Sequence, residues 1–337
     1  MGSFRRACLF VFLAVLGGAF WGQAPFEVVR LEVRLRDLPQ HLSGTKVAVL
    51  SDLHARQGGL TPAETKVFQT VSTNLAGENI HLFLLLGDFV DSEASAIRHL
   101  LPFFSSLNAS HGMYAVLGNH DHTFPGGANV VTKALHSVHD LRVLDHEVAL
   151  PFGPGLEVVG FGDLWNTVGT ITPTRTRGLS GNDVEGCYDT GVPRLVLAHN
   201  PDAATPLNQH GCRVDLQLSG HTHGGMIRVP SLREPGTAVP IVSLLAKLHR
   251  SLPERLKRLF PASRIPGYFC VNNWEWGCGM TTVVREPAPL NKQGSHRGWF
   301  AGKNENRVYT NRGLGDLNRR LFCPPEVTII TLLPAQD

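Results

Sequence analysis

Five short clusters of oxygen and nitrogen donors punctuate this chain. They are Ser51-Asp52-Leu53-His54, Gly87-Asp88-Phe89-Val90-Asp91, Gly118-Asn119-His120-Asp121, Ala198-His199-Asn200 and Gly220-His221-Thr222-His223. Singly, each has an ordinary explanation. Asp caps helices, Gly-Asn makes turns, and an isolated His is often a buried, hydrogen-bonded residue. Together, Asp52, His54, Asp88, Asn119, His199, His221 and His223 are too many donors for one tetrahedral ion. They suit two ions about 3.5–4 Å apart that share a carboxylate. No thiolate belongs to the set, so its hardness fits Mn, Fe or Zn. Two such cations activate water and neutralise phosphoryl charge, which is hydrolytic chemistry. The chain's sixteen histidines agree with a metal-binding role.

Such a cage needs a scaffold that brings distant segments to one place. Apolar runs predict strands over 46–50, 80–86, 113–117, 141–144, 156–160, 195–198, 214–218 and 327–333. Helical spacing marks 61–75, with Pro62 in its first turn, then 94–107 and 129–138. Unbroken runs such as 80–86 read as strands buried on both faces. The alternation predicts an α/β layered domain. Each donor cluster directly follows a predicted strand, where open α/β sheets form their ligand crevice. Glycines ahead of Asp88, Asn119 and His221 let the chain turn sharply inward.

Two stretches break the pattern. Residues 166–192 are polar and rich in Gly and Thr, which reads as a long surface loop. Residues 231–300 read as an insertion after the Gly-His-Thr-His cluster. Within it, 241–260 has apolar residues at 241, 245, 248, 252, 256 and 259, with Lys247, Arg250, Lys257 and Arg258 on the other side. Pro253 interrupts this helix, and Ser251-x-x-Glu254 offers a cap for a second one. One reading packs the helix on the domain with a solvated basic face. The other makes it a membrane-facing helix that presents a lipid-linked substrate to the metals.

The chain has 337 residues, 42% of them hydrophobic, which is ample for a real core. A net charge of +3 with 18% charged residues argues against a basic nucleic-acid binder or an acidic disordered tail. Cysteines 8, 187, 212, 270, 278 and 323 include no CxxC pair, which argues against a zinc knuckle and fits mostly buried thiols. At the N-terminus, Arg5 and Arg6 precede an apolar run over 7–21 and then Gly22-Gln23-Ala24. That run falls short of the roughly 20 residues a span needs. Residues 1–24 therefore read as a signal peptide or short membrane anchor. Residues 25–337 form the catalytic domain, membrane-associated or exported, with the extracytoplasmic side favoured.

In order and in detail, the five clusters resemble the calcineurin-like metallophosphoesterase superfamily, with its DxH, GDxxD, GNHD/E, later His and GHxH blocks. Leu197-Ala198-His199-Asn200-Pro201-Asp202, Gly220-His221-Thr222-His223-Gly224-Gly225, Asn311-Arg312-Gly313-Leu314-Gly315 and Pro324-Pro325-Glu326-Val327 are similar to a bacterial membrane-associated branch of it. That branch includes broad phosphodiesterases and enzymes similar to UDP-2,3-diacylglucosamine pyrophosphatase. The resemblance implies an α/β/β/α sandwich of two mixed sheets flanked by helices. It implies one ion held by Asp52, His54, Asp88 and His223, and another by Asp88, Asn119, His199 and His221. His120 would stand outside the metals, beside the phosphate, oriented by Asp121, with Asp91 in a supporting position. The implied reaction is hydrolysis of a phosphoester or pyrophosphate by a hydroxide bridging the ions, on a small-molecule or lipid-linked substrate. The alternatives are a superfamily nuclease, which the net charge disfavours, and a non-catalytic metal-binding interaction protein, which would be expected to have lost a ligand.

Overall fold

The computed structural model describes residues 26–163, 191–209, 213–230, 238–259, 261, 270–271, 273–284 and 305–336. The expected N-terminal segment 1–24, nearly all of the 166–192 loop and much of the insertion lie outside these residues.

In chain order, the elements begin with β1 (Glu27–Leu35), β2 (Thr45–Leu50), α1 (Pro62–Ala76), β3 (Leu82–Leu85), α2 (Leu101–Ser106) and β4 (Met113–Ala115). Next come α3 (Gly127–Leu135), β5 (Leu141–Val143), β6 (Glu147–Ala149), β7 (Pro151–Pro154), β8 (Glu157–Gly160), β9 (Arg194–Leu197), α4 (Ala204–Gln209) and β10 (Leu216–Ser219). The last are β11 (Arg228–Pro230), β12 (Ala238–Pro240), α5 (Ile241–Ser251), α6 (Glu254–Leu259), β13 (Gly279–Val284), β14 (Glu305–Thr310) and β15 (Glu326–Pro334).

Two six-stranded mixed sheets carry the fold. The first runs β1-β15-β2-β3-β4-β5 and the second β13-β14-β10-β9-β8-β6. In the first, β2 to β5 are parallel and β15 runs against β2. In the second, β8, β9, β10 and β14 are parallel, with β13 and β6 antiparallel at the edges. Period-two alternation explains the layering. From β2, Val47 and Val49 enter the core between the sheets, where they join Leu195, Leu197, Leu216 and Leu218. Ala48 and Leu50 point the other way, into a core with Phe68, Val71, Phe104 and Val131 from the helices. On the far face of the second sheet, Val196 packs with Ala203 and Leu207. Helices, sheet, sheet and helix thus stack in the expected α/β/β/α order.

Local sequence explains most element ends. Thr61 caps α1: its hydroxyl accepts from the Glu64 N–H at 3.2 Å, and the Glu64 carboxylate accepts from the Thr61 N–H at 2.8 Å. The expected 94–107 helix is instead a 3-10 segment, Ala94–His99, followed by α2. Pro102 is the reason, since its ring and missing N–H break the helical ladder across that point.

The 241–260 stretch folds as two helices, α5 and α6. Leu252, before Pro253, is extended, as residues before proline are. Ser251 does not cap α6; its hydroxyl donates back to the Leu248 carbonyl at 2.7 Å. The buried side of α5 also differs from the apolar stripe in the sequence. Val242 and Ala246 pack against Val271 and Trp274, while Ile241, Leu244, Leu245 and Leu248 are exposed. Among the described residues, no helix is long and apolar enough to cross a membrane.

Candidate metal centre

The carboxyl ends of β2, β3 and β4 meet those of β9 and β10 at one edge of the sandwich. Asp52, Asp88, Asn119, His199 and His221 each lie two to four residues beyond one of these strands. This places donors from both sheets around one point. Asp52, His54, Asp88, His199, His221 and His223 are all buried.

Two donor groups share Asp88. Asp52, His54, Asp88 and His223 have donor atoms within 4.8 Å of one another, as do Asp88, His199 and His221. Asp88 Oδ2 lies 3.6 Å from His54 Nε2 and 3.1 Å from His199 Nε2. His223 Nε2 lies 3.5 Å from Asp52 Oδ1 and 3.0 Å from His54 Nε2. His221 Nδ1 is 3.2 Å from His199 Nε2. A third, half-buried group joins His54, Asp91 and His120.

The imidazoles are aimed by their outer nitrogens. His199 Nδ1 donates to the Leu86 carbonyl at 2.7 Å, so Nε2 faces Asp88. His221 Nε2 donates to the Cys270 carbonyl at 2.8 Å, so Nδ1 faces the cluster. Such outer contacts fix the tautomer that a ligand needs. Both partners are backbone atoms, so no residue type in the sequence could announce them.

Backbone geometry shows the same focus. Asp52 (φ 50°), His54 (48°), Asp88 (51°), His221 (70°) and His223 (50°) are all left-handed without being glycine. Each such residue costs about 1–3 kcal/mol, and such strain clusters at functional sites. Gly118 and Gly220 serve close approach rather than a left-handed turn. A Cβ on Gly118 would fall on the Asp88 carboxylate, and one on Gly220 would lie 2.5 Å from Asp52 Oδ2.

Asp121 does not touch the His120 ring, contrary to expectation. Its carboxylate accepts from the backbone N–H groups of Phe89 (2.9 Å), Val90 (3.2 Å) and Gly118 (2.9 Å), and so ties the Asp88 loop to the Asn119 loop. His120 Nδ1 instead lies 2.5 Å from the Asp91 carbonyl. Three N–H donors in reach of a short buried carboxylate outcompete a partly exposed ring. The Asp91 side chain sits 3.7 Å from His54 Nδ1, beyond hydrogen-bond length. A support that residue types alone do not signal is the strap from Asn311 to Gly315. Its Leu314 and Gly315 N–H groups donate to the Ser51 and Asp52 carbonyls at 3.0 and 2.8 Å.

Electrostatically, the cluster asks for positive charge. Burial raises the Asp52 pKa against the pull of His199. Burial would raise that of Asp88 too, but His199 and His54 hold it far below the usual range. Burial opposes protonation of His199, yet Asp88 outweighs it and holds the imidazole up to about 10. Burial and the charge on His199 press His221 down to about 4. Burial and His54 keep His223 well below its ordinary value. Lone pairs are also left waiting: among the described residues, Asn119 Oδ1 and His223 Nδ1 are buried without hydrogen-bond partners. The donor set, the stranded Asn119 oxygen and the buried carboxylates all fit metal ions.

A profile of calcineurin-like phosphoesterases matches residues 45–225, more than half of the chain. The chain belongs to the calcineurin-like phosphoesterase family. The matched region contains all five donor clusters, and the Asp/His cluster of this family member is able to bind metal. A transmembrane protein with a metallophosphoesterase domain from Danio rerio is 31% identical over 67% of the chain. The chain spans about half of that relative (52%). Phosphodiesterase YaeI of Escherichia coli is 28% identical over 91% of the chain and 88% of its own length. UDP-2,3-diacylglucosamine pyrophosphatase LpxG of Chlamydia muridarum is 24% identical over 91% of the chain and 89% of its own length.

Proposed function

We propose that this phosphoesterase hydrolyses a phosphoester or pyrophosphate bond with two metal ions that share Asp88. The position of Asp88 Oδ2 between His54 and His199, within both donor groups, carries this reading. Asp52, His54, Asp88 and His223 would hold one ion; Asp88, Asn119, His199 and His221 would hold the other. When bound, such ions lower the pKa of water and neutralise phosphoryl oxygens. The protein's own task is then placement. Leu86 and Cys270 fix two imidazoles through their carbonyls, and Asp121 locks the loops that carry Asp88 and Asn119. With His120 held at Nδ1 by the Asp91 carbonyl, its Nε2 would be the nitrogen left to protonate the leaving oxygen. Mn, Fe and Zn are the candidate metals.

We infer a lipid-linked substrate, such as a UDP-diacylglucosamine or a phospholipid, met at a membrane surface. Support comes from the exposed leucines of α5. That helix starts beside the Gly-His-Thr-His loop, where the Ile241 N–H donates to the Ile227 carbonyl at 2.9 Å. Two relatives act on phosphodiester and lipid-linked pyrophosphate bonds by name. Residues 1–24, as signal peptide or anchor, would bring the 25–337 domain to the extracytoplasmic face.

The test of the metal assignment is Asp88→Asn and His221→Ala in Mn-supplemented hydrolysis of bis(p-nitrophenyl) phosphate. Both should lose at least 1000-fold in rate while melting cooperatively. Wild-type rates in either variant would refute the assignment.

A further inference from the structure

Arg56 follows His54 by two residues, and the backbone sets it beside Asp91. The Ala55 N–H donates to the Phe89 carbonyl at 2.8 Å and the Asp91 N–H to the Ala55 carbonyl at 3.0 Å, so the loops after β2 and β3 run on together in parallel. From there the Arg56 guanidinium meets three carboxylates on three other segments. Nη2 pairs with Asp316, which follows the strap; Nη1 lies 3.7 Å from Glu64 in the first turn of α1; and Nε lies 3.8 Å from Asp91. Among the described residues, no other Lys or Arg pairs with Asp91 or Glu64. Asp91 in turn holds the proposed proton donor, since its carbonyl accepts from His120 Nδ1 at 2.5 Å. His120 stands edge-on to the proposed ligand His54, with ring centroids 4.7 Å apart.

One cation among three carboxylates draws them together, and without it their like charges repel. Of the three acids, Asp91 is the one whose backbone also serves the chemistry. We propose that Arg56 is a positioning residue for proton transfer: by holding Asp91 it keeps the Asp91 carbonyl against His120 Nδ1, and so keeps the imidazolium Nε2–H in place for the leaving oxygen. As the bond from phosphorus to that oxygen breaks, the oxygen keeps the electron pair and takes the Nε2 proton, and the imidazole regains a proton from solvent. A donor out of place by about 1 Å can cost roughly 100-fold in rate. The proposal rests on the phosphohydrolase reading with His120 as donor, and adds the residue that sets that donor.

The test compares kcat, with the full chain and Mn2+, on two diesters that differ only in leaving group: methyl phenyl phosphate and methyl p-nitrophenyl phosphate. Phenoxide is the more basic leaving group and needs the proton more. His120→Ala should lose about 100-fold in kcat on the phenyl ester and about threefold on the nitrophenyl ester. Arg56→Met should show the same pattern, about 30-fold and about threefold. Arg56→Lys should recover most of that loss, and Arg56→Met should add nothing in the His120→Ala background. KM, and Mn2+ content read by mass spectrometry, should stay level in the Arg56 variants. Equal losses on the two esters, a rise in KM alone, or loss of Mn2+ would each overturn the proposal. Arg56 would then be a general brace, a substrate contact or a support of the metal ligands. Should Arg56→Met fail to fold, Arg56→Gln decides by the same criterion. A wild type without Mn2+-dependent hydrolysis would sink the phosphohydrolase reading, and equal losses in His120→Ala would sink the donor reading; either takes the proposal with it.

Discussion

In the proposed metal centre, Asp88 and His199 form the pair on which metal loading turns. Against the opposing effect of burial, Asp88 holds the His199 pKa up to about 10, from an ordinary 6.5. A raised imidazole pKa stabilises the metal-free fold fully below 6.5, and that contribution is lost as pH rises through about 10. An arriving ion must displace this proton, so apparent metal affinity should climb with pH across that window. Calorimetry at pH about 7.5, in buffers of different ionisation enthalpy, should register about one proton released as the site that holds His199 fills. Release of none would contradict a protonated His199. Gly118 gives a second residue-scale expectation. A Cβ there would displace the Asp88 carboxylate. Because a misplacement of about 1 Å can cost roughly 100-fold in rate, Gly118→Ala should lose about that much activity and part of its metal, as read by assay and metal analysis.

At the scale of elements, α5 shows what periodicity can and cannot say. Spacing located the helix, its break at Pro253 and its successor α6. It did not say which side would be covered, because an apolar stripe records only that such a stripe exists. Trp274 and Val271 pack on the short side chains Val242 and Ala246 and leave Leu244, Leu245 and Leu248 outside. A joint Leu244→Ser, Leu245→Ser, Leu248→Ser variant should therefore fold normally and keep its rate on soluble esters. It should lose most of its sedimentation with anionic phosphatidylglycerol vesicles, since each removed leucine forfeits about 1.5–3 kcal/mol of apolar burial. Undiminished vesicle binding would end the membrane reading of α5.

At the scale of the whole molecule, the two sheets are joined by a buried polar network beneath the strap that supports Asp52. Arg312 pairs with Glu326 of β15 and with Glu27 of β1, the latter at 2.7 Å. Tyr309 of β14, in the other sheet, donates to Glu326, and Thr328 of β15 lies 3.1 Å from its hydroxyl. Arg312→Met leaves the Glu326 carboxylate buried without its cation. Removing one partner of such a pair costs about 3–5 kcal/mol, which urea unfolding should register. A loss under 1 kcal/mol would mean that the network relaxes around the change.

Residue types and their spacing by themselves determined the α/β alternation, the strand-end placement of the donor clusters and the six Asp and His residues that the fold gathers into two donor groups. They did so because strands, turns and metal ligands each need particular residues at short range. Tertiary structure alone decided the rest. It set the sharing of Asp88 between two groups, the backbone carbonyls that aim His199, His221 and His120, and the use of Asp121 as a loop brace. It turned the leucine face of α5 outward. It brought Leu314 and Gly315, about ninety residues beyond His223, onto the carbonyls of Ser51 and Asp52. All of these depend on atoms far apart in the chain, and often on backbone groups that every residue carries, so no local pattern could encode them.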